Sequence, residues 1–445
     1  MSESLSPGVG RFIECGVFAT DPMPWLLASA ESYAAWAALT GLMSADDAAI
    51  DSAHAAVLAD AEVGQLLVDL PGWGDSDFPG HHSPQFLPNR LNLLADMGVG
   101  AGDDDRVETL LDEMLCHQAP DGRFLAFGRY PSGAEAEWGS LPCDTNAITD
   151  VLLRFGRGAD PRVQRALDRI VADAASTPQG RAWQCVSEPV SKFRGPGRKA
   201  DACPQVTLEG LRAISHLEPA ARPDWVLAAA RTPLEVWRRR TDERPYMFGH
   251  GFQFKSVKWP NFWYDVLWVL ETVGRYPGLW RGSRAREADR QSLAEMAACL
   301  IAYNFDGGQD GRVIPRRTYR GFERLSFGQK AKPSPFATAR ALIALARLAE
   351  LAEEIASVDV LALPSSKGGT GSPLPPKDGE TEPICLTPAP RPYALERVLP
   401  RVLTRQHLAR FWFDAEAPVV LVQGMTPLAN RPAGGYVRPL SVSRT

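Results

Sequence analysis

The chain has 445 residues, of which 45% are hydrophobic and 23% are charged, and its formal net charge at pH 7 is −5. These values are ordinary for a globular protein, and the negative net charge argues against general binding to nucleic acids. The sequence has no run of about 18 apolar residues, so it predicts no transmembrane helix.

The N-terminus does not resemble a secretory signal, because it has neither a basic start nor an apolar core. We therefore expect a cytoplasmic protein. In a reducing compartment its seven cysteines are expected to be thiols or metal ligands rather than disulfides.

Residues 1–70 are predicted to form an N-terminal helical extension. They are rich in alanine, and apolar residues recur at helical spacing over residues 46–70. Pro71 and Gly72 are typical of the end of a helix, and they separate this extension from a main domain at residues 71–363.

Within the main domain, apolar and amphipathic helical segments alternate. The apolar segments are 88–97, 144–155, 204–217, 261–273 and 335–348. The amphipathic segments are 104–117, 160–174, 223–240 and 289–303. A helix that is apolar on most faces is buried, whereas a helix with a polar face lies outside. The pattern favours an all-α protein with five inner helices in a closed ring of helical hairpins. A helical solenoid or an irregular bundle would show the same alternation.

The composition changes after residue 363. Residues 364–392 are rich in Pro, Gly and Ser, which is typical of a flexible linker. Residues 393–445 are predicted to form a C-terminal extension with one helix and, at residues 417–423, a short buried strand.

Three stretches of the main domain carry a family resemblance. They are His81-His82-Ser83-Pro84 with residues 89–98, residues 194–199 with Cys203-Pro204, and residues 246–249 with 259–265. They resemble bacterial proteins built from the repeats of prenyltransferases and squalene cyclases. The resemblance implies an α/α toroid, in which helical hairpins form a ring around a central cavity. Related families are the β subunits of protein prenyltransferases, class II terpene cyclases and lanthionine cyclases.

Class II terpene cyclases protonate an alkene with an aspartate from an Asp-x-Asp-Asp motif. This chain lacks the motif, and its nearest counterpart is Asp75-Ser76-Asp77, which has no third carboxylate. Asp75 and Asp77 are therefore candidate proton donors, with an ordinary polar loop as the alternative. Asp265, in the third stretch, is a further candidate catalytic carboxylate.

Aromatic residues crowd the start of the fourth apolar segment, where they include Trp259, Trp263, Tyr264 and Trp268. Aromatic faces attract cations and suit an apolar ligand. Because residues three or four positions apart share a helix face, Trp263 or Tyr264 is expected to line the cavity with Trp268. Burial in the core is the alternative.

Cys143, Cys185 and Cys203 lie at or near the starts of inner helices. In a toroid these starts share one rim, so the sequence predicts a zinc site there, with His82, His81 or His250 as the fourth ligand. The ligand motifs of protein prenyltransferases and lanthionine cyclases are absent, and ordinary buried cysteines are the alternative. Zinc with four protein ligands would be structural, whereas zinc with three would be catalytic.

Basic residues also precede three inner helices. Arg198 and Lys199 lie before the third, Lys255 and Lys258 before the fourth, and an arginine-rich stretch at 312–332 before the fifth. Helix N-termini add positive potential at the same rim. The pattern predicts a site for an anionic group such as a diphosphate or an acidic peptide, and solvated loop charge is the alternative.

The leading hypothesis is an enzyme of the prenyltransferase or terpene cyclase type that holds an isoprenoid ligand in an aromatic cavity with a basic rim. One alternative is a non-catalytic toroid that binds a ligand and contains a structural zinc. Another is a zinc-dependent enzyme that alkylates thiols. The expected partner is an apolar or prenyl small molecule and not a nucleic acid, and peripheral contact with a membrane is compatible with all three hypotheses.

Overall fold

The computed structural model describes residues 7–75, 77, 80–129, 135–186, 200–242, 249–306 and 310–364. All of these residues belong to one compact unit. The predicted linker, from residue 365, and the predicted C-terminal extension lie outside the described residues. No helix in the described ranges combines the length and the apolar character that crossing a membrane requires.

The described chain is mostly helical, which confirms the prediction of an all-α protein. Its α-helices are α1 (Pro7–Glu14), α2 (Met23–Leu27), α3 (Ser32–Leu42), α4 (Asp47–Leu58), α5 (Ala61–Val68), α6 (Leu87–Met97), α7 (Asp105–Cys116), α8 (Pro142–Arg154), α9 (Pro161–Asp173), α10 (Pro204–Ser215), α11 (Val226–Arg238), α12 (Phe252–Lys255), α13 (Val266–Val273), α14 (Glu287–Asn304), α15 (Pro335–Ala346) and α16 (Ala352–Ala356).

Short strands pair two by two between the helices. The antiparallel pairs are β1 (Ala126–Gly128) with β2 (Glu137–Gly139), and β3 (Ala175–Thr177) with β4 (Gly180–Ala182). The parallel pair is β5 (Lys258–Trp259) with β6 (Arg317–Thr318), in which Trp259 lies opposite Thr318. These pairs fix loops rather than build a sheet, because each contains only two strands.

The five apolar segments form α6, α8, α10, α13 and α15, and these helices are buried as predicted. Every residue of α10 and of α13 is buried. The prediction was wrong about where α13 starts, since the helix begins at Val266 rather than at residue 261. The Asp265 carboxylate accepts a hydrogen bond from Trp268 N at 3.0 Å and thereby caps the helix at this later position.

The amphipathic segments form α7, α9, α11 and α14, and aspartate side chains cap the first two of these helices. Asp104 accepts hydrogen bonds at the start of α7, and Asp160 does so at the start of α9. Asp289 is not a cap, because α14 already begins at Glu287. Its buried carboxylate instead pairs with Arg231 at 2.7 Å and with Arg238 at 3.2 Å.

Contacts between the buried helices follow their order in the chain. α6 packs against α8, α8 against α10, α10 against α13, and α13 against α15. α3, from the predicted N-terminal extension, packs against both α15 and α6, so the series of contacts returns to its start. Small residues allow the close approach of α3 and α15, since a Cβ atom at Gly41 would lie 2.5 Å from Ile343 Cδ1.

Candidate metal centre and central cavity

His81 lies in the loop that leads into α6. Asn89, in the first turn of that helix, donates hydrogen bonds from Nδ2 to the backbone oxygens of His81 and Ser83, at 2.7 and 2.9 Å. The ring of Phe86 meets the imidazole edge to face, with centroids 5.0 Å apart. The start of α6 therefore fixes the position of His81.

The first turn of α8 supplies Cys143 and Asp144. Asp144 Oδ2 accepts a hydrogen bond from Leu141 N at 2.7 Å, which closes the start of the helix. Asp144 Oδ1 lies 2.6 Å from His81 Nε2, and Cys143 Sγ lies 3.3 Å from the same nitrogen. The three ligand atoms lie within 4.8 Å of one another. This trio has the residue types and the proximity that a metal ion requires.

The other two predicted cysteines lie beside this trio. Cys203 is the N-cap residue of α10, and its backbone N–H donates to the oxygen of Trp183 at 2.8 Å, which joins α10 to the segment that carries Cys185. The side chain of Cys185 interacts with those of both Cys143 and Cys203. Cys185 thus links the other two predicted cysteines, whereas the group whose ligand atoms all lie within 4.8 Å of one another, among the described residues, is His81, Cys143 and Asp144.

Burial controls the protonation of these groups. It raises the pKa of Cys143 and of Cys203 well above the ordinary thiol value, and the hydrogen bond with Cys185 raises both further. Burial alone lowers the pKa of His81, but the charge and hydrogen bond of Asp144 outweigh it, so the pKa is raised. The thiols keep their protons under these conditions, whereas a divalent cation would favour the thiolates.

Two further oxygens near the trio lack a donor. Gln205 Nε2 donates to Glu209 Oε1 at 2.7 Å, which leaves Gln205 Oε1 and Glu209 Oε2 buried without a hydrogen-bond partner. Burial raises the pKa of Glu209 to about 8. Buried polar oxygens are seldom left unsatisfied, so these two fit a site that holds a cation or ordered water.

The other histidines proposed as ligands are not part of the trio. His250 Nε2 lies 2.7 Å from the hydroxyl of Tyr264, and the ring is buried against Trp237. The ring of His82 meets Trp263 with centroids 5.7 Å apart. Burial, aided by the nearby charge of Lys258, lowers the pKa of His82 to about 4. Of the three candidate histidines, His81 is the one that the structure places with the cysteines.

The three candidate catalytic carboxylates have local contacts. Asp75 Oδ2 accepts a hydrogen bond from Gly72 N at 3.1 Å, and Asp77 pairs with Arg129 at 2.6 Å. Asp265 caps α13, and burial raises its pKa to about 7. None of the three is among the residues that line the cavity in the described part of the chain.

A cavity lies between the buried helices. Its lining comprises Asn89, Asn92, Leu93, Asp96, Arg212, Trp259, Pro260, Asn261, Phe262, Leu267, Trp268, Glu271, Phe336 and Arg340. Four aromatic residues were proposed to bind substrate. Two of them, Trp259 and Trp268, line the cavity, whereas Trp263 and Tyr264 do not. The cavity wall combines aromatic rings with charged groups.

The basic residues proposed at the rim lie elsewhere or outside the described chain. Lys255 Nζ lies 5.2 Å from the ring centroid of Tyr303, and Lys258 Nζ lies 4.1 Å from that of Tyr319. Neither lysine lines the cavity. Arg198 and Lys199 lie outside the described residues.

A buried ionic network, which the sequence analysis missed, forms one side of the cavity. Arg212 pairs with Asp150 at 3.0 Å and lies 4.7 Å from the ring centroid of Trp268. Arg340 contacts Asp96 at 3.2 Å and Glu271 at 2.5 Å. Arg154 of α8 pairs with Asp96 of α6 at 2.6 Å and joins these two groups, so the network ties all five buried helices together.

The sequence contained one signal for this network. On α10 the polar residues Gln205, Glu209 and Arg212 are spaced by four and then three positions, and His216 follows four positions later. That spacing places them on one face of an otherwise apolar helix. A polar stripe on a buried helix predicts partners on the neighbouring helices.

Comparison with known proteins gives no relative: no protein-family model, no curated protein and no solved structure matches this chain. Its function is therefore argued from the geometry of the thiol cluster and of the cavity.

Proposed function

We propose that this protein is a ligand-binding α/α toroid in which a structural zinc ion joins four segments at one rim. The observations that carry the proposal are the contact of Cys143 Sγ with His81 Nε2 at 3.3 Å and the interaction of Cys185 with both Cys143 and Cys203. These residues come from α8, from the segment after β4, from the start of α10 and from the loop before α6. Thiolate and imidazole are the ligands that zinc prefers.

The donor set favours a structural role for the metal. Three thiolates and one imidazole would fill the four positions of tetrahedral zinc and leave none for a substrate. Asp144 Oδ1, 2.6 Å from the His81 nitrogen, is a further oxygen at the site. The ion would supply the positive charge that keeps buried thiolates stable and would hold the starts of α8 and α10 together.

The order in which the buried helices contact one another supports the toroid. The series from α6 to α15 returns to α6 through α3, which makes six consecutive neighbours. The thiol cluster also unites the N-terminal ends of α8 and α10 with the loop before α6, as expected if the inner helices point the same way around a ring. The cavity between them is then the natural place for a ligand.

Metal analysis of the purified full-length protein tests the zinc. We expect one zinc per chain, lost in Cys143→Ser and in Cys203→Ser. Cys299→Ser is the matched control, because Cys299 is also fully buried but is not part of the cluster. A folded wild-type protein without zinc, or a Cys203→Ser variant that keeps its zinc, would refute the proposal.

One observation favours a second candidate, an enzyme that acts on isoprenoids. Trp259, Phe262, Trp268 and Phe336 line the cavity, and aromatic faces stabilise cationic intermediates. Incubation with prenyl diphosphates of several chain lengths, followed by product analysis, tests this candidate. Unchanged substrates at every chain length would argue against it and leave the binding function in place.

A further inference from the structure

Three residues of the cavity wall have buried polar atoms with no hydrogen-bond partner. They are Trp259 through Nε1, Trp268 through Nε1, and Asn261 through both atoms of its amide group. Trp259 is only 2% exposed and Trp268 only 7%. Buried polar atoms are nearly always satisfied in folded proteins. Their convergence on one cavity indicates that a bound molecule satisfies them.

The chemistry of these atoms defines their partner. An indole N–H is only a donor, and the amide of Asn261 adds an NH₂ group and one acceptor oxygen. Donors therefore outnumber acceptors among the unpartnered groups. The complementary ligand is rich in oxygen acceptors.

The surrounding charge has the matching sign. The ionic network, together with the arginines beside it, contains five guanidinium groups, those of Arg154, Arg212, Arg275, Arg340 and Arg347. Of these, Arg212 and Arg340 line the cavity, where the carboxylates of Asp96 and Glu271 balance them, and the other three lie behind the wall. The wider network thus sets the net charge around the cavity. It contains three carboxylates, those of Asp96, Asp150 and Glu271. Burial, followed by the repulsion of Arg212 and Arg347, lowers the pKa of Arg275 to about 9. An excess of buried positive charge attracts an anion.

The rest of the wall is apolar. Leu93, Leu267, Phe262 and Phe336 line the cavity beside the donors. A ligand that fits both parts has an anionic oxygen group at one end and a hydrocarbon or aromatic body at the other.

We propose that the central cavity binds a small organic anion, whose carboxylate or phosphate accepts hydrogen bonds from Trp259, Trp268 and Asn261. This inference rests on the proposed binding function and specifies the ligand class. The indole N–H groups orient the anionic group through hydrogen bonds, and the guanidinium groups behind them supply the positive charge. The apolar wall contacts the body of the ligand.

Calorimetric titration of the full-length protein as purified tests the ligand class with four matched probes. Benzoate and phenyl phosphate carry the two anionic groups, whereas benzyl alcohol is neutral and benzylamine is cationic. We expect binding of at least one anion, at least tenfold tighter than that of benzyl alcohol, and no binding of benzylamine. The anion that binds more tightly identifies the head group of the ligand as carboxylate or phosphate.

Conservative variants locate the site. Trp268→Phe and Trp259→Phe keep a ring and remove one donor each, so each is expected to weaken anion binding about tenfold. Trp280→Phe is the control, because Trp280 is also buried with an unpartnered Nε1 but does not line the cavity. The affinity of the Trp280→Phe variant for the anion should equal that of the wild type.

The outcomes separate the two proposals. Equal binding of benzyl alcohol and the anions would overturn the anion proposal but preserve a binding cavity. Failure of all four probes to bind would overturn the anion proposal and indicate that water satisfies the donors, while the zinc content of the same sample tests the metal independently. Anion binding unchanged in both tryptophan variants would place the site elsewhere and overturn the proposal.

Discussion

Two buried polar regions lie along α10, and they differ in how their groups are satisfied. Near the start of the helix, thiols, an imidazole and a carboxylate crowd together, and their hydrogen bonds are mostly with one another. Further along, Arg212 and its neighbours form ion pairs in which each carboxylate has a guanidinium partner. The protein alone completes the second region, whereas our proposal assigns a zinc ion to the first.

This difference has a physical basis. A buried ion pair is stable when geometry and hydrogen bonds offset the cost of removing both charges from water. The thiols of Cys143 and Cys203 stay protonated because burial raises their pKa well above the ordinary value. A metal ion converts the same thiols into strong ligands. The comparison therefore predicts that removing a metal ion destabilises the thiol region, whereas replacing one member of an ion pair destabilises the ionic network.

The largest effect should come from removing the metal. Zinc binding to structural sites supplies on the order of 10 kcal/mol of folding free energy, so a strong chelator should shift chemical unfolding to much lower denaturant concentration. Unfolding curves with excess zinc and with chelator provide the measurement. Identical midpoints would show that the thiol region, like the ionic network, is complete without an ion.

Breaking the ionic network should have the next largest effect. Arg212→Met leaves the buried Asp150 with His216 as its remaining ionic partner, 2.9 Å away. Removing one member of a buried pair costs about 3–5 kcal/mol, so the free energy of unfolding should fall by roughly that amount. The double variant Arg212→Met/Asp150→Leu should recover part of the loss.

Zinc content separates this effect from the first. Arg212→Met should retain its zinc, because the thiol cluster does not depend on the ion pair. Loss of zinc together with stability would mean that the two regions act as one.

Asp265 shows what happens to a buried carboxyl that has no guanidinium within ion-pair distance among the described residues. Burial raises its pKa from 3.8 to about 7. Below about pH 4 the carboxyl is protonated in both the folded and the unfolded chain. As the pH rises from about 4 to 7, the unfolded chain releases the proton first, so the free energy of unfolding falls.

Asp265→Asn removes this pH dependence and keeps a residue that caps helices well. Each pKa unit corresponds to about 1.4 kcal/mol, so at pH 8 the variant should be more stable than the wild type by at most about 4 kcal/mol. At pH 4 the two proteins should be nearly equal. Thermal unfolding across this pH range gives the comparison, and parallel curves would contradict it.

The smallest effect is expected at His250, which is paired with a neutral group. Tyr264→Phe removes the 2.7 Å hydrogen bond to His250, at a cost of about 1 kcal/mol. Zinc content should not change, since His250 lies outside the trio. A Tyr264→Phe protein that loses zinc would mean that this histidine belongs to the metal region.

Much of the fold was predictable, because it depends on local patterns. Caps such as Asp104 and Asp160 and the apolar segments located the helices to within a few residues. The grouping of the three cysteines followed from one assumption, that the starts of successive inner helices face the same side. The choice of His81 over its neighbour His82 did not follow, because it depends on how Asn89 holds the loop.

The cavity was harder to predict for two reasons. Trp263 and Tyr264 precede α13, so the argument from helical spacing did not apply to them. The ionic network joins residues far apart in the chain, such as Asp96 and Arg340, and local patterns do not reveal which charges meet. The polar stripe on α10 indicated that partners exist but not where they lie.

The return of α3 to α15 has a consequence for biosynthesis. The buried face of α3, with Ala34, Ala37 and Ala38 fully covered, acquires its main neighbour only when residues 335–346 have left the ribosome. Arg11 and Glu353 pair across the same junction. Helices α1–α3 therefore stay partly exposed until the last helices have been synthesised. A circularly permuted gene that begins at α4 would encode α1–α3 after α15 and would shorten this interval.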